Sequence, residues 1–386
     1  MKSPANRIWC GMADGTPHLN LEVYPRIAEI GCDAWDACAG GDNPFVSYGF
    51  LSALEDSGSV GKRTGWHPRY AVLRGAGGEV MAVAPAYAKT NSYGEYVFDQ
   101  AWANAMERAG GNYYPKLQVA VPFSPVPGPR FLCRKGFPVA ALANGLEQLA
   151  EELDCSSVHA TFCTQAEWEI LGEAGWLQRL GTQFHWENAG YGSFEDFLAA
   201  LSSRKRKAIK RERRDAQAGL NFKALSGAAL TKEVWKDFYT FYTSTVDRKW
   251  GGAYLTPAFF PLLSERLGDK IVLMIAERDG TPIAGALNLR SDDVLYGRNW
   301  GSTEDVPFLH FELCYYQAIE YAITHGMKRV EAGAQGEHKI QRGYLPKPGL
   351  RRAVAEFVAA ERAGMVEAMA AMAADSPYKG DDKGSG

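Results

Sequence analysis

Ile271-Val272-Leu273-Met274-Ile275-Ala276-Glu277, then Asp279-Gly280-Thr281-Pro282, then Ile283-Ala284-Gly285-Ala286-Leu287-Asn288-Leu289 is the stretch that decides the fold. Two apolar runs around an Asp-Gly pair form a β-hairpin, because that pair accepts the positive φ of a tight turn. Working outward, Val294 to Arg298 is a further strand. Phe311 to His325 is a helix, with Leu313, Tyr316, Ile319 and Ile323 at helical spacing and Gly326 closing it. Lys328 to Glu331 is a strand. Upstream, Phe194 to Ala216 reads as one long helix and Lys232 to Val246 as a second. The first half has the same order. Asn43-Pro44-Phe45 starts a helix that Ser57-Gly58-Ser59 and Gly61 end. Arg69 to Arg74 and Val80 to Tyr87 pair around Gly75 to Gly78, and Leu117 to Val121 is a strand. Pro122, Pro125, Pro127 and Pro129 hold the next segment as a loop. Ala140 to Leu153 is a helix, Ser157 to Phe162 a strand and Ala166 to Ala174 a helix.

This repeated order of helix, hairpin, strand, helix and strand reads as an architectural duplication. It predicts an α/β chain of two domains, each a mixed sheet flanked by helices. The expected division is a loose arm over 1–20, domains over 21–187 and 188–375 with a basic helix over 194–216, and a disordered tail over 376–386. Ala353 to Ala374 is Ala- and Met-rich and expected to be helical. With 386 residues, two domains of ordinary size fit, and 46% hydrophobic with 23% charged residues excludes wholesale disorder. The longest apolar runs fall far short of the roughly 20 residues of a membrane helix. Met1 to Arg7 is polar and no apolar run follows, so no secretory signal is expected. Seven cysteines without a Cys-x-x-Cys pair fit reduced thiols, hence a cytoplasmic protein without a disulfide framework or zinc site.

Two clusters carry chemistry. From Arg204 to Arg214 there are eight Lys or Arg residues and one acid, Glu212, in a chain of net charge -3. Phe194, Phe197, Leu198, Leu201, Ala208 and Ala216 supply an apolar stripe. Arg206, Lys210 and Arg214, spaced i, i+4, i+8 and preceded by Arg204, line one face suited to phosphates. A merely solvated face is the bland alternative, and mutual repulsion of so many like charges weighs against it. The second cluster is Gly333-Ala334-Gln335-Gly336-Glu337-His338-Lys339-Ile340-Gln341-Arg342-Gly343-Tyr344, a loop after a strand, where sites are commonly built. There Lys339 is placed to stabilise charge developing at an attacked carbonyl, with Gln335 and Arg342 as substrate contacts. Glu337 and His338 lack metal-ligand spacing. Arg298, Asn299 and Trp300 mix polar and aromatic groups as a pocket wall does. Asp247-Arg248-Lys249-Trp250-Gly251 reads as a helix end or a binding loop. His67, His159, His185, His310 and His325 read as core or surface residues. Walker, Gly-x-Ser-x-Gly and Gly-x-Gly-x-x-Gly motifs are absent.

Asn43-Pro44-Phe45 with Leu51 to Ser59, Gly65-Trp66-His67-Pro68, Gln183-Phe184-His185-Trp186 with Phe194 to Arg213, Arg248-Lys249-Trp250-Gly251, and Glu331 to Pro346 resemble the FemAB-like family. These are peptidoglycan biosynthesis/recognition proteins of the GNAT superfamily. The resemblance implies two tandem GNAT-like domains. The distantly similar Fem transferases move an amino acid from aminoacyl-tRNA to an amine of a peptidoglycan precursor. Arg206-Lys207-Ala208-Ile209 resembles their Arg-x-x-Ile helix beside the acceptor's phosphates. His338-Lys339-Ile340-Gln341-Arg342-Gly343-Tyr344 resembles their Phe-Lys-x-x-Phe element, which gives Lys339 the supporting role in transfer. His338 stands where that element has an aromatic hydrocarbon, and Lys347 to Arg352 depart from the aromatic-rich sequence of the family.

The resemblance implies an aminoacyl transferase with aminoacyl-tRNA as co-substrate, no cofactor, and a small-molecule or peptide amine as acceptor. Glu337 or His338 would accept the proton and Tyr344 donate to the leaving hydroxyl. The alternatives are an N-acyltransferase using acetyl-CoA or another acyl-CoA, and a non-catalytic nucleic-acid-binding protein. Asn299 to Pro307 lacks the glycine spacing that cradles the pyrophosphate of CoA and brings two acids there, which counts against CoA.

Overall fold

The computed structural model describes residues 6–10, 19–97, 99–249, 252–334, 336–352, 366–367 and 369–372. The chain forms two compact units. One is Met1–Gly181 with Tyr254–Arg266 and Gly349–Ala363; the other is Thr182–Ala253 with Leu267–Pro348 and Gly364–Gly386. The division after Gly181 falls a few residues before the 187/188 expected from sequence, inside a strand, and Tyr254–Arg266 groups with the first unit. The strands are β1 (Asn6–Cys10), β2 (Leu19–Tyr24), β3 (Trp66–Pro68), β4 (Tyr70–Arg74), β5 (Val80–Ala84), β6 (Ala86–Lys89), β7 (Lys116–Val119), β8 (Leu132–Cys133), β9 (Val158–Ala160), β10 (Gln178–Glu187), β11 (Asn221–Leu225), β12 (Ile271–Arg278), β13 (Thr281–Arg290), β14 (Val294–Ser302), β15 (Arg329–Glu331) and β16 (Leu345–Arg352).

The first unit holds a five-stranded sheet, β1-β2-β4-β5-β8, and a four-stranded sheet, β3-β6-β7-β9. Asn6–Cys10 pairs antiparallel with β2, so this part of the expected loose arm is an edge strand; residues 1–5 and 11–18 lie outside the described residues. The run Val80 to Tyr87 is two strands, divided at Pro85, whose missing N–H cannot continue a ladder. Leu21, Leu73, Ala82 and Leu117 meet Leu142, Leu146 and Leu149 of the Val139–Glu152 helix in the core. Lys89 and Lys116 lie directly opposite each other on β6 and β7, both fully buried. Lys116 Nζ donates to Glu95 Oε2 and Asp99 Oδ2, each at 2.8 Å, and to Ser92 Oγ at 3.2 Å. Arg179 donates to the other oxygen of Asp99 at 2.9 Å.

The second unit is built on the seven-stranded order β11-β12-β13-β14-β15-β10-β16. The hairpin Ile271–Arg278 with Thr281–Arg290 forms as expected, and Asp279 and Gly280 both take positive φ. The long helix expected over 194–216 is two helices, Phe194–Ala200 and Ser203–Gln217. Leu201 between them is extended and fully buried, so the chain breaks its helix to insert that side chain into the core. Ser193 caps the first, accepting from Asp196 N at 3.1 Å. The helix expected over 311–325 runs as Leu309–Phe311, a π turn over Glu312–Tyr316, and Gln317–Thr324. Asp247–Lys249 ends the Lys232–Lys249 helix; Trp250 and Gly251 lie outside the described residues. Of the helix expected over Ala353 to Ala374, residues 366–367 and 369–372 are helical. The remainder, with the tail from 376, lies outside the described residues.

Gly301 on β14 is held against the backbone of the Lys232–Lys249 helix: a Cβ there would stand 1.7 Å from Phe241 O. Backbone cannot move aside as a flexible side chain does. Gly301→Ala is therefore expected to destabilise the protein by about 3 kcal/mol, the upper end of ordinary overpacking. A urea midpoint equal to wild type would refute this.

Candidate active site

The site grows from a parting of two strands. β14 and β15 run parallel from Val294↔Arg329 to Tyr296↔Glu331. β14 then continues to Ser302 while β15 ends, and the chain turns into the tight helical segment Glu337–Arg342. On β14, Trp300 faces Ala286 of β13 while Gly297 faces Asn288, so one extra residue bulges at Arg298 and Asn299. Such bulges re-aim side chains at strand ends. Arg298, Asn299 and Trp300 are all half-buried, and the Trp300 ring lies 4.8 Å from that of His310.

Lys339 reaches back to the end of β15. Its Nζ donates to Ala332 O at 2.6 Å and lies 5.5 Å from the Phe184 ring centre, and the residue is 6% exposed. Burial lowers its ammonium to about 8, partly offset by the Cys314 thiol. His338 is exposed, and its Nε2 is 2.9 Å from the Tyr315 hydroxyl, which the π turn brings up beside Phe311. Glu337 is exposed next to it.

Two more of the expected residues are held within the loop. Tyr344 is fully buried and donates its hydroxyl to Tyr315 O at 3.3 Å. The Arg342 guanidinium grips Glu212 at 2.9 and 3.0 Å, donates to His338 O at 2.8 Å and lies over Phe311. Glu212, the lone acid of the basic run, thus faces inward, as does Arg213 beside it on Glu312 and Glu320. Gln335 lies outside the described residues. On the basic helix, Arg204 is exposed and Arg206 touches Ala199 O at 3.5 Å. Lys210 pairs with Glu195 at 2.7 Å and Arg214 with Asp215 at 2.8 Å. Such surface pairs are weak enough for a phosphate to displace.

Sequence reasoning missed His185 and Glu331, which face each other on β10 and β15 with Nε2 and Oε2 4.0 Å apart. Burial raises the Glu331 carboxyl to about 8, and burial with nearby Arg329, Lys347 and Lys339 lowers His185 to about 3. The alternation Arg329-Val330-Glu331 placed Glu331 on the face away from the core, and no local signal said that this face is covered too. Among the described residues, no group of three or more His, Cys, Asp or Glu is placed to hold a metal, and no helix is long and apolar enough to cross a membrane.

The fold matches solved structures of low sequence identity. L-PGS from Bacillus licheniformis is 11% identical with a TM-score of 0.53, over 92% of this chain and 98% of that one. FemX is 12% identical with a TM-score of 0.52, over 84% and 95%. No curated protein matches the chain. The family model for peptidoglycan biosynthesis/recognition matches residues 26–380, across both units and the whole of the Lys339 loop, and the chain belongs to that FemAB-like family.

Proposed function

We propose that this chain, an acyltransferase of the FemAB-like family, moves an aminoacyl group from aminoacyl-tRNA to an amine and forms an amide. The observation that carries the reading is Lys339. Its ammonium has one hydrogen bond among the described residues, to Ala332 O, and two further N–H bonds one residue past the point where β14 and β15 part. As the amine attacks the ester carbonyl, negative charge gathers on the carbonyl oxygen, and a buried ammonium stabilises it far better than water does. The C–O bond then breaks and the ribose hydroxyl leaves. Arg204, Arg206, Lys210 and Arg214 form the phosphate-binding face for the tRNA, and Arg298, Asn299 and Trp300 line the mouth. His338 or Glu337 accepts a proton at the exposed end. The family's description supports a peptide amine as acceptor, and Glu304 and Asp305, exposed after β14, disfavour an acyl-CoA pyrophosphate there.

The test is consumption of a charged tRNA pool with a cell metabolite extract, with acetyl-CoA in parallel. Lysine-dependent loss of aminoacyl ester with a new amide supports the reading, and turnover of acetyl-CoA alone overturns it. Arg206→Glu is expected to weaken aminoacyl-tRNA binding about 10-fold and to lower the salt slope by about 1, as for one lost phosphate contact. Unchanged affinity would leave this helix as a solvated face.

A further inference from the structure

Glu331 and His185 are not used by the steps above, yet they are among the least satisfied buried groups of the second unit. Each is 5% exposed, and among the described residues neither Glu331 Oε2 nor His185 Nε2 has a hydrogen-bond partner. Buried polar atoms are rarely left so, and each exception calls for an explanation. The two atoms converge to 4.0 Å, close enough for one small group to lie about 2.9 Å from both. With Glu331 ionised and the Nε2 lone pair free, both atoms accept there, and the occupant is then a donor with at least two hydrogens. A primary ammonium meets that demand and adds a second positive charge beside a buried carboxylate that Arg329 reaches at its other oxygen, at 3.5 Å. The pair sits one residue from Ala332, the carbonyl that holds Lys339. The charged neighbours are accounted for. Arg329 stands 3.5 Å from the other oxygen of Glu331 and shares Glu187 with Lys347 of β16, while Tyr296 of β14 faces Glu331 across the parallel pair.

We propose that Glu331 and His185 receive the ammonium of the acceptor amine and act as its general base. The inference rests on the transfer reading in taking an amine as acceptor. The ammonium enters as the proton on Glu331 leaves to solvent, and it is held by Glu331 Oε2 and His185 Nε2. It then gives one proton to the Glu331 carboxylate, which frees its lone pair. The C–N bond forms at the ester carbonyl, the C–O bond breaks, and the second amine proton passes by way of His338 or Glu337 to the leaving ribose oxygen. One proton is thus left on Glu331, and it leaves to solvent when the next ammonium enters. The strengths match: burial holds Glu331 near 8, where an α-ammonium also ionises, at about 7.7–8.0.

The experiment is calorimetric titration of the full chain at pH 7 with glycinamide and with N-acetylglycinamide, which has the same shape without the ammonium. It is run in two buffers of different ionisation heat, with the infrared band of a protonated carboxyl followed alongside. The expected result is saturable glycinamide binding with proton release and loss of the carboxyl band, at least 10-fold tighter than N-acetylglycinamide. Glu331→Gln, which mimics the neutral carboxyl and so keeps the fold, is expected to lose both the proton release and the preference; His185→Asn is expected to weaken binding several-fold. Equal binding of the two amides, no binding, or an unchanged Glu331→Gln variant overturns the proposal, the position then holding water. No charged tRNA is needed. A glycinamide site that survives while aminoacyl-tRNA goes unconsumed removes the donor assignment alone, and aminoacyl-tRNA turnover without glycinamide binding removes this acceptor site alone.

Discussion

Lys339→Ala is expected to lower the transfer rate by about 10²–10³-fold, the loss seen when one donor to a developing oxyanion is removed. The fold should remain, because among the described residues the hydrogen bond lost is the one to Ala332 O, a change of about 1 kcal/mol that urea unfolding will read. The rate should also fall as pH rises through about 8. Burial lowers the ammonium to that value, and the deprotonated amine no longer carries the charge that stabilises the oxyanion. Lys339→Arg keeps a cation that does not titrate in this range, so any remaining activity should lose that alkaline limb. Full activity in Lys339→Ala, or an alkaline limb persisting in Lys339→Arg, would remove Lys339 from the chemistry.

Lys116→Met is expected to destabilise the protein by about 3–5 kcal/mol, as when one partner of a buried ion pair is deleted. The substitution leaves Glu95 and Asp99 without the ammonium that both now accept from, in a region where Glu95 is fully buried and Asp99 nearly so. Burial alone would raise Asp99, but Lys116, His159 and Arg179 outweigh it and hold the carboxyl well below the usual range. A depressed acid contributes stability above its unfolded value of about 3.9 and loses it as pH falls. The gap between wild type and variant should therefore narrow below about pH 4. A constant gap down to pH 2 would show that Lys116 acts by packing alone. The opposing lysine behaves in the other sense. Burial lowers Lys89 to about 7, so its contribution makes stability rise with pH from about 7 to its unfolded value near 10.4.

Much of this was written in local sequence. Asp279-Gly280 fixed one hairpin and Gly75 to Gly78 the other, because turn chemistry acts over a few residues. The segment that carries Lys339 was legible as a turn after a strand, because its glycines Gly333, Gly336 and Gly343 all take positive φ. What escaped was decided at a distance. Leu201 looks like one more apolar position on a helix, and only the core that receives it shows why the helix breaks. Glu212 and Arg342 lie far apart in the chain, so the basic run could not reveal that its acid was already spoken for. His185 and Glu331 each lie in a stretch that resembles the family, but it is strand pairing across the fold that joins them, and neither stretch by itself gives either residue a role.

The π turn over Glu312–Tyr316 carries a consequence of a different kind. A π turn is an α-helix with one residue too many, and each residue of an α-helix turns the chain by about 100°. Deleting a single position from this turn would let the helix close regularly and swing the two flanking segments about that far relative to each other. The Tyr315 hydroxyl could not then stay on His338 while Gln317–Thr324 kept Ala318, Ile319 and Ala322 in the core. The contact beside Lys339 is therefore guarded by a count as well as by side-chain identity. Substitutions in this turn that spare its length should be far better tolerated than the loss of one residue, whichever residue is removed.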